Sequence, residues 1–289
     1  MFGFLNIYKP KGWTSFDVVA KIRKIVNIKS VGHTGTLDPF ATGVLPVCIG
    51  KSTKLIEYLP DDKEYIATVK FGSNTDTYDL EGQVTQTFDK KVEKKDVEYA
   101  LKLFEGEIEQ TPPIYSAIKV NGKKLYEYAR NGQNVEIKSR KVYIYKIELL
   151  EFDDDSQIAK IKIACSKGTY IRSIAYDLGA KLGCGGYLIA LERTKAGMFN
   201  IDNSININEI INIKNHLINP LDVLPQPKYI LNDEEKEHVS HGRSIKQRYS
   251  IDFSINSKSV VFLVYGGKMY GVGVIEEGLI KVKKVFKYD

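Results

Sequence analysis

Asp38, in a loop rich in glycine and proline, is the residue of this sequence best suited to nucleophilic or acid–base chemistry. The loop spans residues 32–46, where glycines permit unusual backbone angles and Pro39 holds the residue before it in extended geometry. The apolar run over residues 43–50 predicts a buried strand, so the loop is short and anchored. A carboxylate held this way can act as a nucleophile or a general base. An aspartate beside a proline is also typical of a plain turn, and the residue types leave both interpretations open.

The sequence around Asp38 resembles the signature of a known enzyme family. Residues 33–46 read His-Thr-Gly-Thr-Leu-Asp-Pro-Phe-Ala-Thr-Gly-Val-Leu-Pro, which is similar to the signature of the TruB family of tRNA pseudouridine synthases. The resemblance extends over nearly all of residues 4–197. It implies an isomerase that converts uridine 55 in the T arm of tRNA to pseudouridine. It also implies that Asp38 is the essential group and that no cofactor or metal is needed.

The resemblance assigns two further residues to catalysis. Arg172 corresponds to an arginine that pairs with the catalytic aspartate, and Tyr65 to a tyrosine that faces the target base. We expect Arg172 to hold Asp38 ionised, because a nearby cation lowers the pKa of a carboxyl group. Without the resemblance, Arg172 is also typical of an ordinary surface arginine on a first helical turn. For Tyr65, the sequence alone favours a tyrosine at the edge of the core.

The remaining substrate contacts also come from the resemblance. A base inside a folded RNA arm must leave its stack before an enzyme can reach it, and His33 is implied to occupy the vacated space. Tyr65 and Tyr170 are expected to pack on, or hydrogen-bond, the base and its sugar. Leu191 is expected to exclude water, although by itself it is typical of a core position. The match is looser near Tyr187 and Glu192, so the RNA contacts of this strand are left open.

A basic segment over residues 119–141 is a candidate RNA contact. Basic residues mixed with tyrosines around turns suit contact with an RNA backbone and its bases, whereas a run of charge alone is usually a solvated face. The resemblance implies that this segment is a mobile insertion that clamps the RNA. The predicted RNA-binding residues are Lys9, Lys119, Lys123, Arg130 and Arg140.

Apolar periodicity predicts the elements that carry these residues. The expected strands span residues 2–8, 65–71, 142–152, 157–165 and 185–197. The expected helices span residues 51–59, 96–104, 170–182 and 208–217, with one more after Thr14 whose apolar face is Phe16, Val19, Ile22 and Val26. Thr14 and Asp17 have the spacing of a capping box. Asn121-Gly122 predicts a tight turn.

We predict an α+β chain in two parts. Residues 1–224 are expected to form a pseudouridine synthase fold with a long mixed, mostly antiparallel sheet. A proline cluster over residues 220–227 marks the boundary. Residues 225–289 are expected to form a small β-rich domain that resembles a PUA RNA-binding domain. A helix capped by Asn232 and short strands near 244–248, 259–264, 269–275 and 279–286 are predicted there.

Composition sets broad limits on partners. The chain has 289 residues and a formal net charge of +6, which permits an anionic partner without demanding one. Three cysteines without metal-ligand spacing fit small buried residues in a reducing compartment. The polar, acidic segment 72–82 does not have the spacing of a calcium loop. With neither a signal peptide nor an apolar run of membrane-spanning length, we expect a cytoplasmic protein. We expect it to act as a monomer, without an obligate protein partner.

Two alternatives remain beside the stand-alone tRNA enzyme. The first is a non-catalytic RNA-binding or RNA-folding protein, which the basic segment and the C-terminal part would serve equally well. Asp38, Tyr65 and Arg172 together argue against it, because a protein that only binds RNA needs no such set. The second is an isomerase directed to other RNAs by a guide RNA.

Overall fold

The protein is described by a computed structural model over residues 1–133, 135–210, 212–252 and 259–287. The α-helices are α1 (Ser15–Val26), α2 (Lys94–Lys102), α3 (Leu125–Arg130), α4 (Ile171–Leu182), α5 (Pro220–Val223) and α6 (Asp233–Ser240). The 3-10 helices are Gly50–Tyr58, Ile201–Asn203 and Ile213–His216. The strands of the first part are β1 (Gly3–Lys9), β2 (Val31–His33), β3 (Thr42–Ile49), β4 (Lys63–Phe71), β5 (Ser73–Thr75), β6 (Val84–Thr87), β7 (Gly106–Gln110), β8 (Lys119–Val120), β9 (Lys123–Lys124), β10 (Arg140–Asp153), β11 (Ile158–Cys165), β12 (Gly186–Ala196), β13 (Phe199–Asn200) and β14 (Ile205–Asn206). The C-terminal strands are β15 (Lys228–Ile230), β16 (Ile245–Lys246), β17 (Val260–Tyr265), β18 (Lys268–Glu276) and β19 (Leu279–Val285).

A ten-stranded sheet forms the frame of the first part. Its main path is β14-β1-β3-β12-β4-β11-β10-β7, with β2 paired to β3 and β13 to β12. The β1–β14 and β3–β12 pairs are parallel, and the other pairs are antiparallel. This confirms the predicted long, mixed and mostly antiparallel sheet.

The two faces of the sheet are covered by different elements. Alternate residues of a strand point to opposite faces, so Leu5 and Ile7 of β1 enter one core while Phe4 enters another. Residues of α1, α2 and α4 lie in the first core, together with Tyr65 and Leu191. The second core joins β1 and β3 to the C-terminal strands. The candidate site residues of the central strands therefore lie on the helix-covered face.

Two helix predictions were wrong in part. The capping box of Thr14 and Asp17 is present, but Phe16 is 64% exposed and is not part of the buried face. Because α1 begins at Ser15, the positions spaced as 15, 18, 19 and 22 face the sheet, and Phe16 is turned outward. Of the helix predicted over residues 208–217, only the 3-10 turn at Ile213–His216 is found in the described part. Asparagine and β-branched isoleucine, which dominate that segment, are weak helix formers.

The C-terminal part is β-rich, as predicted. Its five strands have the order β15-β17-β18-β19-β16, and β15 was not predicted from the sequence. Asn232 and Glu235 form a capping box at the start of α6. The side chains of Phe262 and Val264 lie in one core with Phe4 and Val44, so the two parts share apolar contacts. The boundary at residues 224/225 stays a prediction.

Across the described ranges, no helix is long and apolar enough to cross a membrane.

Candidate active site

The loop that carries Asp38 is anchored by Ser15, at the first position of α1. The hydroxyl of Ser15 accepts a hydrogen bond from the backbone N–H of Leu37 at 2.8 Å and donates one to the Leu37 carbonyl at 3.2 Å. The N–H of Ala41 then donates to the Asp38 carbonyl at 3.1 Å, which closes a turn around the aspartate. The short anchored loop predicted from the sequence is therefore present.

Arg193, on β12, holds the other side of the same loop and was not recognised from the sequence. Its side chain is buried, with Nε donating to the Val44 carbonyl at 2.7 Å. Its two terminal nitrogens reach the carbonyls of Gly35 at 3.1 Å and Thr36 at 3.4 Å. A side chain at Gly43 would lie 2.3 Å from the Arg193 carbonyl oxygen, so this close approach of β3 and β12 requires glycine.

Lys9, predicted to bind RNA, is fully buried. Its ammonium donates to the carbonyls of Trp13 at 2.6 Å, Pro10 at 3.0 Å and Pro39 at 3.3 Å. The side chain therefore has no exposed surface that RNA could contact, and the prediction that Lys9 binds RNA was wrong. Its position makes it a cation that braces the residue after Asp38.

We expect Lys9→Met to destabilise the protein by about 2 kcal/mol near pH 7, because three carbonyls lose a buried donor. The difference in the free energy of unfolding between wild type and Lys9→Met should grow as pH rises. Burial lowers the pKa of Lys9 from 10.5 to about 8, so between these values the unfolded chain binds more protons than the folded one. Wild-type stability therefore gains relative to the variant as pH rises through that window.

Urea unfolding of both proteins at pH 7 and pH 9.5 measures this difference, since other titrations largely cancel between them. A difference that shrinks at pH 9.5 would contradict the assignment.

Arg172 joins Asp38 to a second carboxylate, Asp79. Arg172 Nε lies 2.9 Å from Asp38 Oδ2 as an ion pair without hydrogen-bond alignment, and Nη2 donates to Asp38 Oδ1 at 3.3 Å. Nη1 lies 3.3 Å from Asp79 Oδ2. Both the Arg172 and Asp79 side chains are buried, whereas that of Asp38 is 32% exposed. Of these three charged side chains, only the Asp38 carboxyl is thus accessible from solvent.

Asp79 was missed by the sequence reasoning, which treated segment 72–82 only as a structured loop. Its carboxylate accepts hydrogen bonds from the Thr77 hydroxyl at 2.6 Å and from the Glu81 N–H at 3.0 Å. The only sequence signal was an aspartate in a small polar loop, and nothing local indicates that it turns toward Arg172. The contact joins residues far apart in the chain, which only the fold brings together.

The pKa of Asp38 is raised above its usual range, because burial disfavours the charged carboxylate. The guanidinium of Arg172 opposes this rise, and the Asp79 carboxylate adds to it. The expectation that Arg172 sets a low pKa for Asp38 was therefore incomplete: the arginine limits a rise caused by burial. A carboxylate with a raised pKa is a stronger base than an ordinary aspartate.

Tyr65, Leu191 and Arg193 lie on one face of the paired strands β4 and β12. Arg193 stands opposite Tyr65 and Leu191 opposite Ala67 in the register. Burial raises the pKa of the Tyr65 phenol, which the Arg193 guanidinium opposes and the Asp38 carboxylate reinforces. Leu191 is buried. The sheet thus places an apolar and a phenolic side chain in the core that also contains the Asp38 loop.

His33 ends β2, beside the start of the Asp38 loop. Burial and the nearby Arg193 lower the pKa of His33, so its imidazole is neutral at pH 7. Its Nδ1 is buried without a hydrogen-bond partner among the described residues. A neutral ring with an unused polar atom is suited to a ligand contact.

Tyr170 lies just before α4 and is covered by Arg140. The Arg140 guanidinium is 4.9 Å from the centre of the Tyr170 ring and donates to the Gly168 carbonyl. Arg140 is half-buried, so it supports Tyr170 as well as presenting charge at the surface.

The basic segment forms a small hairpin, β8–β9, followed by α3. Asn121 and Gly122 both have positive φ, as the predicted tight turn requires. Lys119, Lys123 and Arg130 are exposed. Tyrosines lie beneath the charges, with Lys123 5.9 Å from the Tyr128 ring and Arg130 5.4 Å from the Tyr126 ring. Exposed cations beside aromatic rings are thus present on the predicted RNA-contact segment, and the RNA contact itself stays a prediction.

The three cysteines, Cys48, Cys165 and Cys184, are free and buried. Within the described residues, no group of three or more histidine, cysteine, aspartate and glutamate side chains could hold a metal ion.

Family comparison covers most of the chain. A model of the TruB family pseudouridylate synthase N-terminal domain matches residues 23–171, and one of the tRNA pseudouridylate synthase B C-terminal domain matches residues 172–224. The chain is 43% identical to tRNA pseudouridine synthase B of Clostridium kluyveri, over 99% of this chain and 100% of that protein. It is 44% identical to the protein of the same name from Clostridium novyi, over 99% of each.

A solved crystal structure of a Cbf5-Nop10-Gar1 complex contains a chain of similar fold. The match covers 99% of this chain and 85% of that one, with a TM-score of 0.75 and 27% identity. The architecture predicted from the sequence is thus found in a structure of modest sequence similarity.

Proposed function

The chain belongs to the TruB family of pseudouridylate synthases, and we propose that it converts uridine 55 in the T arm of tRNA to pseudouridine, with Asp38 as the essential group. The observation that carries this proposal is the partly exposed Asp38 carboxyl, held by a buried arginine on a loop anchored from three sides. A protein that only bound RNA would gain nothing from a buried ion pair that orients one carboxyl toward solvent.

The isomerisation of uridine to pseudouridine requires a group that can act as a nucleophile or a base, as a carboxyl group can. The bond between C1′ of the ribose and N1 of uracil breaks, the uracil rotates, and it rejoins the sugar through C5. C5 then loses its hydrogen as a proton and N1 takes up a proton, so the product has the same composition as the substrate. Asp38 can serve this sequence as a nucleophile or as a base. Arg172 keeps its carboxyl oriented and limits the rise of its pKa.

The remaining site residues keep the roles first assigned to them, as part of this proposal. Tyr65 and Tyr170 contact the base and its sugar, and Leu191 excludes water from the reacting bond. His33 fills the space that the flipped base leaves. Supporting this, all four side chains are buried or half-buried.

The relatives favour tRNA over a guide-directed target. Identity of 43–44% over the full chain is shared with proteins named tRNA pseudouridine synthase B, against 27% with the chain of the Cbf5 complex. We propose that residues 225–289 act as a PUA-like RNA-binding domain, and that the protein works in the cytoplasm as a monomer.

Tritium release tests the proposed activity. A T-arm stem-loop labelled with tritium at C5 of uridine 55 should lose its label on incubation with the protein, because C5 exchanges its hydrogen for the glycosidic bond. A stem-loop labelled only at a stem uridine is the matched control and should keep its label. Binding of both RNAs without release would overturn the enzyme proposal in favour of an RNA-binding protein.

The hairpin cations should contribute through phosphate contacts. We expect Lys123→Ala and Arg130→Ala each to weaken stem-loop binding and to lower the salt slope of log Kd by about 1 per lost contact. Lys94→Ala, at an exposed position of α2 paired with Glu98, is the control and should leave the slope unchanged. Fluorescence anisotropy at several salt concentrations measures all three. Equal slopes for wild type and hairpin variants would remove these residues from the RNA surface.

A further inference from the structure

The end of β7 and the residues that follow it are bonded directly to the start of α4. Gln110 is fully buried, and its amide pairs with both backbone polar groups of Tyr170. The side-chain oxygen accepts from the Tyr170 N–H at 2.8 Å, and the side-chain nitrogen donates to the Tyr170 carbonyl at 3.0 Å. Gln110 thereby fixes the residue that immediately precedes α4.

Two more contacts connect the same segment to the first turn of α4. The hydroxyl of Ser173 donates to the Thr111 carbonyl at 2.8 Å. Nη2 of Arg172, which also donates to Asp38, donates to the Tyr115 carbonyl at 3.0 Å. Residues 170, 172 and 173 around the helix start are thus all held by residues 110–115, which we name the linking segment.

The linking segment continues into the basic hairpin and α3. The N–H of Tyr126 donates to the Ser116 carbonyl at 3.2 Å, and that of Leu125 to the Ile118 carbonyl at 2.8 Å. The surface that carries Lys123 and Arg130 is therefore bonded to the chain that continues from the Tyr115 carbonyl.

We propose that Gln110 is a positioning residue for Arg172, and through it for Asp38. The buried amide locks the start of α4 so that the guanidinium meets Asp38 and the Tyr115 carbonyl at once. When the hairpin binds RNA, the linking segment then couples the position of the hairpin to the ion pair between Arg172 and Asp38. This inference rests on the proposed function, because it assumes that Asp38 is the group whose orientation limits the reaction.

Gln110→Met tests the proposal, since methionine has nearly the same size but neither donor nor strong acceptor. The single-turnover rate of tritium release at saturating stem-loop should fall about 10- to 100-fold, as expected for a misplaced catalytic group, while Kd stays within about twofold. The acid limb of the pH–rate profile should move to higher pH, because a displaced guanidinium no longer opposes the rise in the pKa of Asp38.

Gln86→Met, at an exposed position of β6, is the matched control and should behave as wild type. If a thermal unfolding curve shows that Gln110→Met is not folded, Ser173→Ala is used in its place. That variant should show a smaller loss of rate and the same shift of the acid limb to higher pH. A folded variant with wild-type rate and an unmoved acid limb would overturn the proposal, and so would a change confined to Kd. A wild-type protein without tritium release would instead overturn the proposed function, and this inference with it.

Discussion

Asp38→Asn is expected to abolish tritium release, lowering the single-turnover rate by about 10⁴-fold or more, as is typical when a nucleophile or its essential partner is removed. The asparagine is nearly isosteric, so it can keep one contact with Arg172 while losing the charge and the nucleophilic oxygen. Binding of the T-arm stem-loop should remain within about threefold of wild type, because the hairpin cations are untouched. Single-turnover release and anisotropy measure the two effects separately.

The matched control is Asp154→Asn, the same substitution at the exposed tip of the β10–β11 hairpin. It should release tritium at the wild-type rate. Full activity in Asp38→Asn would remove this residue from the mechanism, whereas loss of activity in both variants would point to a nonspecific effect of charge.

The pH dependence of wild-type release should show the raised pKa of Asp38. Activity requires the ionised carboxylate, so it is lost as pH falls through the folded-state pKa. Because burial raises that pKa, the acid limb should lie above the ordinary aspartate value of about 3.9. Single-turnover rates between pH 3.5 and 8 would locate the limb, and a limb at or below the ordinary aspartate value of about 3.9 would contradict the assignment.

Arg172→Met should damage both stability and activity. It leaves Asp38 and the buried Asp79 as two carboxylates without their shared cation, and breaking a buried pair by removing one partner costs about 3–5 kcal/mol. Release should fall about 10²- to 10³-fold, because Asp38 loses both its orientation and its opposing charge. Urea unfolding and single-turnover release measure the two losses.

Two companion variants sharpen this result. Arg172→Lys keeps the charge but not the planar fork that reaches two carboxylates and two carbonyls, so it should recover stability more than rate. Lys94→Met, at an exposed position of α2, should change neither. A stable and fully active Arg172→Met protein would show that the ion pair has no role in the reaction.

Local features of the fold could be predicted from the sequence where neighbouring residues decide them. The capping boxes at Thr14 and Asn232, the Asn121-Gly122 turn and the alternating strand 65–71 all depend on contacts within a few positions. The helix predicted over residues 208–217 was wrong because the prediction followed the spacing of apolar residues, whereas the residue types of the segment do not favour a helix.

The chemistry of Asp38 could be proposed from the sequence because a long motif identifies a family, whereas the residue types of the loop by themselves left a plain turn open. The pairing of Arg172 with Asp38 followed from the resemblance. The sequence could not indicate Asp79, Arg193 or Gln110, whose partners lie on segments remote in the chain.

The sequence by itself thus determined the family, the candidate catalytic aspartate and the order of most elements, since short-range patterns and a contiguous motif encode them. Only the tertiary structure decided that Lys9 is an internal brace rather than an RNA contact, and that Arg172 serves two carboxylates. It also decided that burial raises the pKa of Asp38 despite its arginine. Burial and charge proximity are set by segments that meet only after folding, so no local pattern of residue types can carry them.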